Sequence, residues 1–147
     1  MKKIIYSPGE PSGIGPDLII KLSSSKLWED LDIPIVSIGD PKLFIDRAAL
    51  LKKKIKIIEL DSLNKVSKNS KGLIQIIKVT KCSNTRPGKL SKNNAQYVLD
   101  NLTYSIKQTM QNEGTALVTG PLSKENIISI DKLFTCLLYT SPSPRDS

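Results

Sequence analysis

Five short apolar runs, at residues 3–7, 33–38, 55–60, 73–79 and 115–119, alternate with stretches of helical character along this chain. That alternation is the pattern of an α/β domain with a largely parallel sheet and helices on its faces, and it excludes most other fold classes. The first run leads through a Gly/Pro loop at residues 8–15 into a helix opening at Pro16, since proline suits a first helical position, with Leu18, Ile19 and Leu22 as its apolar face. The second run ends at Gly39-Asp40-Pro41 and predicts a helix carrying Leu43, Phe44, Ala48 and Leu51. Residues 61–72, rich in Ser, Asn and Lys, read as a surface loop. A long helix follows from Ala95, Val98, Leu99, Leu102, Ile106 and Met110, spaced by three and four, with Ser91 as candidate N-cap and Gly114 just past its end. The run at 115–119 reads as a buried strand, after which Ser123 can cap a short helix holding Ile127, Ile128 and Ile130.

With 147 residues, 39% of them hydrophobic, the chain suffices for one core and not for two full domains. Nothing in it approaches the roughly 18 to 20 consecutive apolar residues of a membrane span, and its start is too short to be a secretory apolar region. A cytoplasmic location with no membrane partner is expected. Cys82 and Cys136 lie far apart, and there is no histidine, so neither a zinc site nor a disulfide framework is suggested. The net charge of +8 is spread over lysines from Lys2 to Lys132, with Lys52, Lys53 and Lys54 the one run of three. Aromatic residues are 5% of the chain and are not interleaved with basic ones, so a solvated surface is expected rather than a nucleic-acid interface.

Chemistry concentrates in two loops. Residues 8–15 join a strand to a helix, where backbone N–H groups and the helix dipole can receive a phosphate or carboxylate, and glycine lets a ligand approach closely. The spacing is neither G-x-G-x-x-G nor G-x-x-x-x-G-K-[ST], so ligand contact and a plain tight turn stand as equal readings. Thr119-Gly120-Pro121 falls at the carboxyl end of another strand, the same edge of the sheet, where open α/β sheets place ligands. The cleft candidates are therefore Gly9, Glu10, Gly13, Gly15, Thr119, Gly120, Pro121 and Lys124. Glu10 would either bond a ligand hydroxyl or tie down its own loop. Lys124 would offer its ammonium to a phosphate or cofactor, or be an ordinary surface charge. Arg47 reads as a fold or interface contact.

The segment from Ser7 to Leu18 resembles the amino-terminal signature of the 4-hydroxythreonine-4-phosphate dehydrogenase family. Further matches follow in the family's order at Asp46-Arg47-Ala48-Ala49, at Asn94 with Tyr97-Val98, and at residues 116–121 with Lys124. The resemblance spans residues 1–135, a little under half of a typical member. It implies a two-domain, three-layer α/β/α fold like that of isopropylmalate and isocitrate dehydrogenases, present here as an amino-terminal part, in a homodimer with active sites near the subunit interface. It further implies oxidation of a small phosphorylated substrate, 4-phosphooxy-L-threonine, by NAD or NADP. Loss of carbon dioxide then yields 3-amino-2-oxopropyl phosphate, on the route to pyridoxal phosphate. A divalent metal (zinc, magnesium or cobalt) held by histidines would polarise the reacting oxygen. The family's Gly-His-Thr motif would follow Phe134-Thr135, and no catalytic or metal-ligating residue of the family is expected within this chain.

Residues 136–147 instead resemble a translated transposase-type sequencing adapter, and such a tail is set aside from fold reasoning. Alternatives are a sister dehydrogenase of a four-carbon acid phosphate, of erythronate or threonate type, and a non-enzymatic phosphate-binding module. On the family reading the chain alone is inactive and aggregation-prone.

Overall fold

The computed structural model describes residues 2–82 and 94–122. Isoleucine and valine dominate the strands, as stiff β-branched side chains suit a pleated, buried surface. In chain order the elements are β1 (Lys3–Ser7), α1 (Gly15–Ser23), α2 (Lys26–Asp30), β2 (Ile35–Ile38), α3 (Pro41–Leu50), β3 (Lys56–Leu60), a 3-10 turn (Leu63–Lys65), β4 (Leu73–Ile77), α4 (Ala95–Gln111) and β5 (Thr115–Thr119). The five strands form one sheet in the order β3-β4-β2-β1-β5, with every neighbouring pair parallel. The chain is thus an α/β fold with a parallel sheet flanked by helices.

Register fixes which residues share a face, because side chains alternate along each strand. Ile4 and Tyr6 pair with Ile35 and Ser37, and Ser37 pairs with Ile76. The buried members of this face, with Ile74, join Ile19 and Ile20 of α1, Trp28 of α2 and Leu43, Phe44 and Ala48 of α3 in the larger core cluster. Ile5, Val36, Ile38 and Ile77 form the opposite face and pack with Leu63 and Val66 of the β3–β4 connection and with partly buried Tyr104 of α4. Each such buried side chain contributes about 1.5–3 kcal/mol of hydrophobic stabilisation, so the sheet's central strands anchor the fold. Helices α1 and α3 pack on each other, whereas α4 lies against β1 and β5.

Several expectations need correction. Leu18 is 48% exposed, whereas Ile19 is buried and Leu22 packs partly buried against the core as expected, and α1 also buries Ile20 and Ser23. Leu51 is the C-cap of α3 and not a residue of the helix proper, although it packs partly buried against the core. The stretch 61–72 is not a plain surface loop: Leu63 and Val66 are buried, and the Asn69 side chain accepts from Ile35 N–H at 3.0 Å and donates to Ile33 O at 3.0 Å. That amide takes the place of ladder partners, and β2 starts at Ile35, after a proline that has no N–H to give. The strand at 115–119 is not buried. Among the described residues β5 is the edge of the sheet, and its Val118 is 46% exposed. Helix α2 was not foreseen; it seats Trp28, 1% exposed, whose indole N–H donates to Leu73 O at 3.2 Å. Ser91, the short helix with Ile127, Ile128 and Ile130, and the tail lie outside the described residues. No helix among the described residues is long and apolar enough to cross a membrane.

Candidate functional site

The two candidate loops meet at the carboxyl ends of β1 and β5, and backbone contact is what joins them. Ser7 and Thr119 are paired in register, Gly120 N–H donates to Ser7 O at 2.7 Å, and Glu10 N–H donates to Pro121 O at 3.4 Å. A Cβ on Gly15 would stand 1.8 Å from Pro8 O, one on Gly120 2.3 Å from the same oxygen, and one on Gly9 2.5 Å from Pro121 O. Gly9 also has φ +82°, a left-handed conformation that glycine adopts without penalty. These glycines are therefore demanded by main chain crossing main chain. Gly13 is different: its nearest neighbour would be Glu10 O at 3.3 Å, and it and exposed Ile14 bring the loop to the surface just before α1 begins.

Residues 8–12 are buried, and their polar groups are tied internally. The Glu10 carboxylate accepts from Ser12 Oγ at 3.1 Å, turning onto its own loop, and Gly13 N–H closes the turn onto Glu10 O at 3.0 Å. The Tyr6 hydroxyl donates to Gly15 O at 2.8 Å, and burial pushes its pKa up to about 12. Arg47, 3% exposed on α3, reaches across to the same loop. Its guanidinium donates to Pro11 O at 2.5 Å, Gly13 O at 2.9 Å and the Asp17 carboxylate at 2.8 Å. Arg47 is thus a fold contact to the loop.

A second polar knot sits at the carboxyl ends of β2 and β4. Buried Asp40 caps α3 by accepting from Lys42 N–H at 3.1 Å, and its other oxygen accepts from Cys82 N–H at 2.8 Å. Its own N–H donates to the Tyr97 hydroxyl at 2.9 Å, which ties α4 to the β2 end. The Cys82 thiol donates to Asn94 Oδ1 at 3.5 Å. Burial, reinforced by the Asp40 and Glu10 carboxylates, raises the thiol pKa to about 12, so Cys82 is not an ionised nucleophile at neutral pH. Burial likewise raises the Tyr97 phenol well above its ordinary range. The Asp40 knot was not picked out as a site feature in the sequence, although Gly-Asp-Pro ahead of an apolar helix is a readable N-cap signal.

Ser7 is another residue the sequence reading passed over. Its hydroxyl is 1% exposed and has no hydrogen-bond partner among the described residues. No sequence signal distinguishes it from any other strand-end serine. Beside the two loops, an apolar groove of 280 Å³ runs between α1 and β5, lined by Leu18, Leu22, Val118, Thr119, Gly120 and Pro121 among others. The structure thus brings together Gly9, Glu10, Gly13, Gly15, Thr119, Gly120 and Pro121; Lys124 lies outside the described residues.

The histidine-held metal that the resemblance implies finds no ligands here. The chain has no histidine, and the described residues gather no group of three His, Cys, Asp or Glu able to hold an ion.

Comparison with known proteins places this geometry in a family. The family model described as pyridoxal phosphate biosynthetic protein PdxA matches residues 30–134, well over half of the chain. A 4-hydroxythreonine-4-phosphate dehydrogenase from Citrobacter koseri is 33% identical over 124 residues, covering 84% of this chain and 36% of that protein. The one from Pseudoalteromonas translucida is 36% identical over 122 residues, covering 83% of this chain and 36% of that protein. The crystal structure of the Klebsiella pneumoniae 4-hydroxythreonine-4-phosphate dehydrogenase superposes with a TM-score of 0.78 at 24% identity, over 95% of this chain and 44% of that one, a likeness of fold. The chain spans little more than a third of the length of the curated relatives it matches. On the strength of the family model and these relatives, the chain belongs to the PdxA family of pyridoxal phosphate biosynthetic proteins.

Proposed function

We propose that this chain is the amino-terminal part of an NAD- or NADP-dependent dehydrogenase that oxidises 4-phosphooxy-L-threonine, with decarboxylation to 3-amino-2-oxopropyl phosphate. The observation that carries the reading is the family match through residues 30–134, together with a signature loop locked to the Gly120-Pro121 turn at the carboxyl edge of a parallel sheet. That edge is where α/β enzymes bind small ligands. In this reading the parent has the three-layer, two-domain, isopropylmalate dehydrogenase-like fold, works as a cytoplasmic homodimer and holds a divalent metal on histidines beyond this chain.

The share of this chain is rigidity at one wall of the cleft. Gly9, Gly15 and Gly120 allow the two loops to touch, Glu10 and Gly13 shape the exposed turn, and Thr119 and Pro121 end the neighbouring strand. Lys124 follows on the same side as a candidate phosphate partner. Hydride and proton transfer belong to residues supplied elsewhere in the parent, so the chain alone has no dehydrogenase activity.

A chimera tests this. Residues 1–134 of this chain are joined at the equivalent position to the remainder of the Citrobacter koseri relative, and reduction of NAD or NADP is followed with 4-phosphooxy-L-threonine. Turnover by the chimera, with none by the 147-residue chain, is the expected result. A folded chimera without turnover contradicts the reading.

A further inference from the structure

Among the described residues Arg47 is the one basic side chain that is buried, and most of its hydrogen bonds go to backbone. Its neighbour Asp46 pairs with Lys42 at 2.9 Å on the surface, with both side chains more than half exposed, and such a pair contributes little. Arg47 instead has one fork divided among Pro11 O, Gly13 O and the Asp17 carboxylate. A buried cation is costly unless paired and hydrogen-bonded, and here all three acceptors come from the segment that makes the turn and enters α1. A packing pillar between α1 and α3 would be served by an apolar side chain. Two carbonyls on alternate residues of a turn are served by a planar guanidinium, whose fork presents fixed N–H directions; a lysine ammonium is a single point of donation.

We infer that Arg47 is a positioning residue: by holding the Pro11 and Gly13 carbonyls it sets the shape of the exposed turn at Gly13-Ile14 and the direction of the Glu10 carboxylate, without touching a ligand. The side chain is 3% exposed and three of its N–H groups are held by these acceptors, so it is not the phosphate anchor. The inference rests on the proposed cleft. It predicts that loosening this turn raises the requirement for substrate, because a loop that must be ordered on binding gives up affinity.

Two measurements test it. Amide hydrogen exchange on the full 147-residue chain compares wild type, Arg47→Lys and Asp17→Asn; steady-state kinetics on the chimera uses the same substitutions. Arg47→Lys retains a charge for Asp17 and loses the fork, whereas Asp17→Asn retains the fork. The expected result is exchange of amides 9–18 accelerated about tenfold or more in Arg47→Lys, with β2 and β4 unchanged. The KM for 4-phosphooxy-L-threonine rises about tenfold with a smaller change in kcat, and Asp17→Asn stays within about threefold on both. If Arg47→Lys does not fold, the paired apolar variant Arg47→Met with Asp17→Leu preserves packing while removing the fork, and the same changes are expected of it. A loosened loop with unchanged KM overturns the inference and leaves Arg47 as a fold support only. Equal effects of Arg47→Lys and Asp17→Asn overturn it in favour of the ion pair. A folded wild-type chimera without turnover overturns the proposed function first, and the inference with it.

Discussion

Gly15→Ala should destabilise this protein, although helix propensity alone predicts the opposite. Gly15 opens α1, and replacing glycine by alanine within a helix ordinarily gains about 0.5–1 kcal/mol. Here the added Cβ would stand 1.8 Å from Pro8 O, a backbone atom, where ordinary contact begins at 3.4 Å. The strand-end loop would have to retreat by roughly 1.5 Å, and overpacking of that kind costs about 1–3 kcal/mol, occasionally more. Retreat also stretches the Tyr6 hydroxyl bond to Gly15 O and the Glu10 N–H bond to Pro121 O. The penalty wins, by about 2 kcal/mol net. Trp28 is the chain's one tryptophan and is buried, so its fluorescence reports urea unfolding directly. With a slope of about 1–3 kcal/mol per molar urea, the midpoint should fall by about 1 M. Gly13→Ala, whose Cβ meets Glu10 O at 3.3 Å, is the control and should move the midpoint far less. An unchanged or raised midpoint for Gly15→Ala would refute the claim that backbone crossing dictates this glycine.

Other predictions follow from the same geometry. Ser7→Ala removes a buried hydroxyl with no partner among the described residues and should leave stability unchanged or raise it by up to about 1 kcal/mol; a loss of 1 kcal/mol or more would mean the hydroxyl is bonded in the native protein. Cys82 stays protonated in the folded state up to about 12 against an ordinary 9.0, so its contribution is fully present below pH 9.0 and is lost as pH rises towards 12. The urea midpoint should therefore fall over that range, less steeply in Cys82→Ala, and identical profiles would count against the thiol's burial. Val118→Glu, on the exposed face of β5, should lower concentration-dependent light scattering of the chain without lowering the urea midpoint. A large fall in the midpoint would mean that this face is already covered.

Much of the fold was legible because strand runs of isoleucine and valine are bounded by glycine, proline and polar residues; β1 was read at its observed limits. Strand order was not legible. β4 enters between β3 and β2, and pairing across such separations leaves no mark on local composition. Helix α2, Lys26–Asp30, is too short to display a period. The exposure of β5 was missed because an edge strand that keeps one apolar face reads like a fully buried one. At the candidate site, the glycines of residues 9–15 were visible at once, whereas their reason was hidden: what approaches Gly9 and Gly15 is main chain, including Pro121 more than a hundred residues away. Arg47 was legible as a fold or interface contact, but what it contacts was not, since its acceptors lie thirty or more positions back.

The proposed function takes residues up to Thr135 as the amino-terminal part of a dehydrogenase. Sequencing the source locus across codon 135 with long reads that use no transposase adapter tests it most directly. The account predicts codons for Gly-His-Thr directly after Thr135, followed by a histidine-bearing carboxyl portion. A genomic Cys-Leu-Leu-Tyr followed by a stop codon after Ser147 would contradict it and favour a free-standing module without dehydrogenase activity.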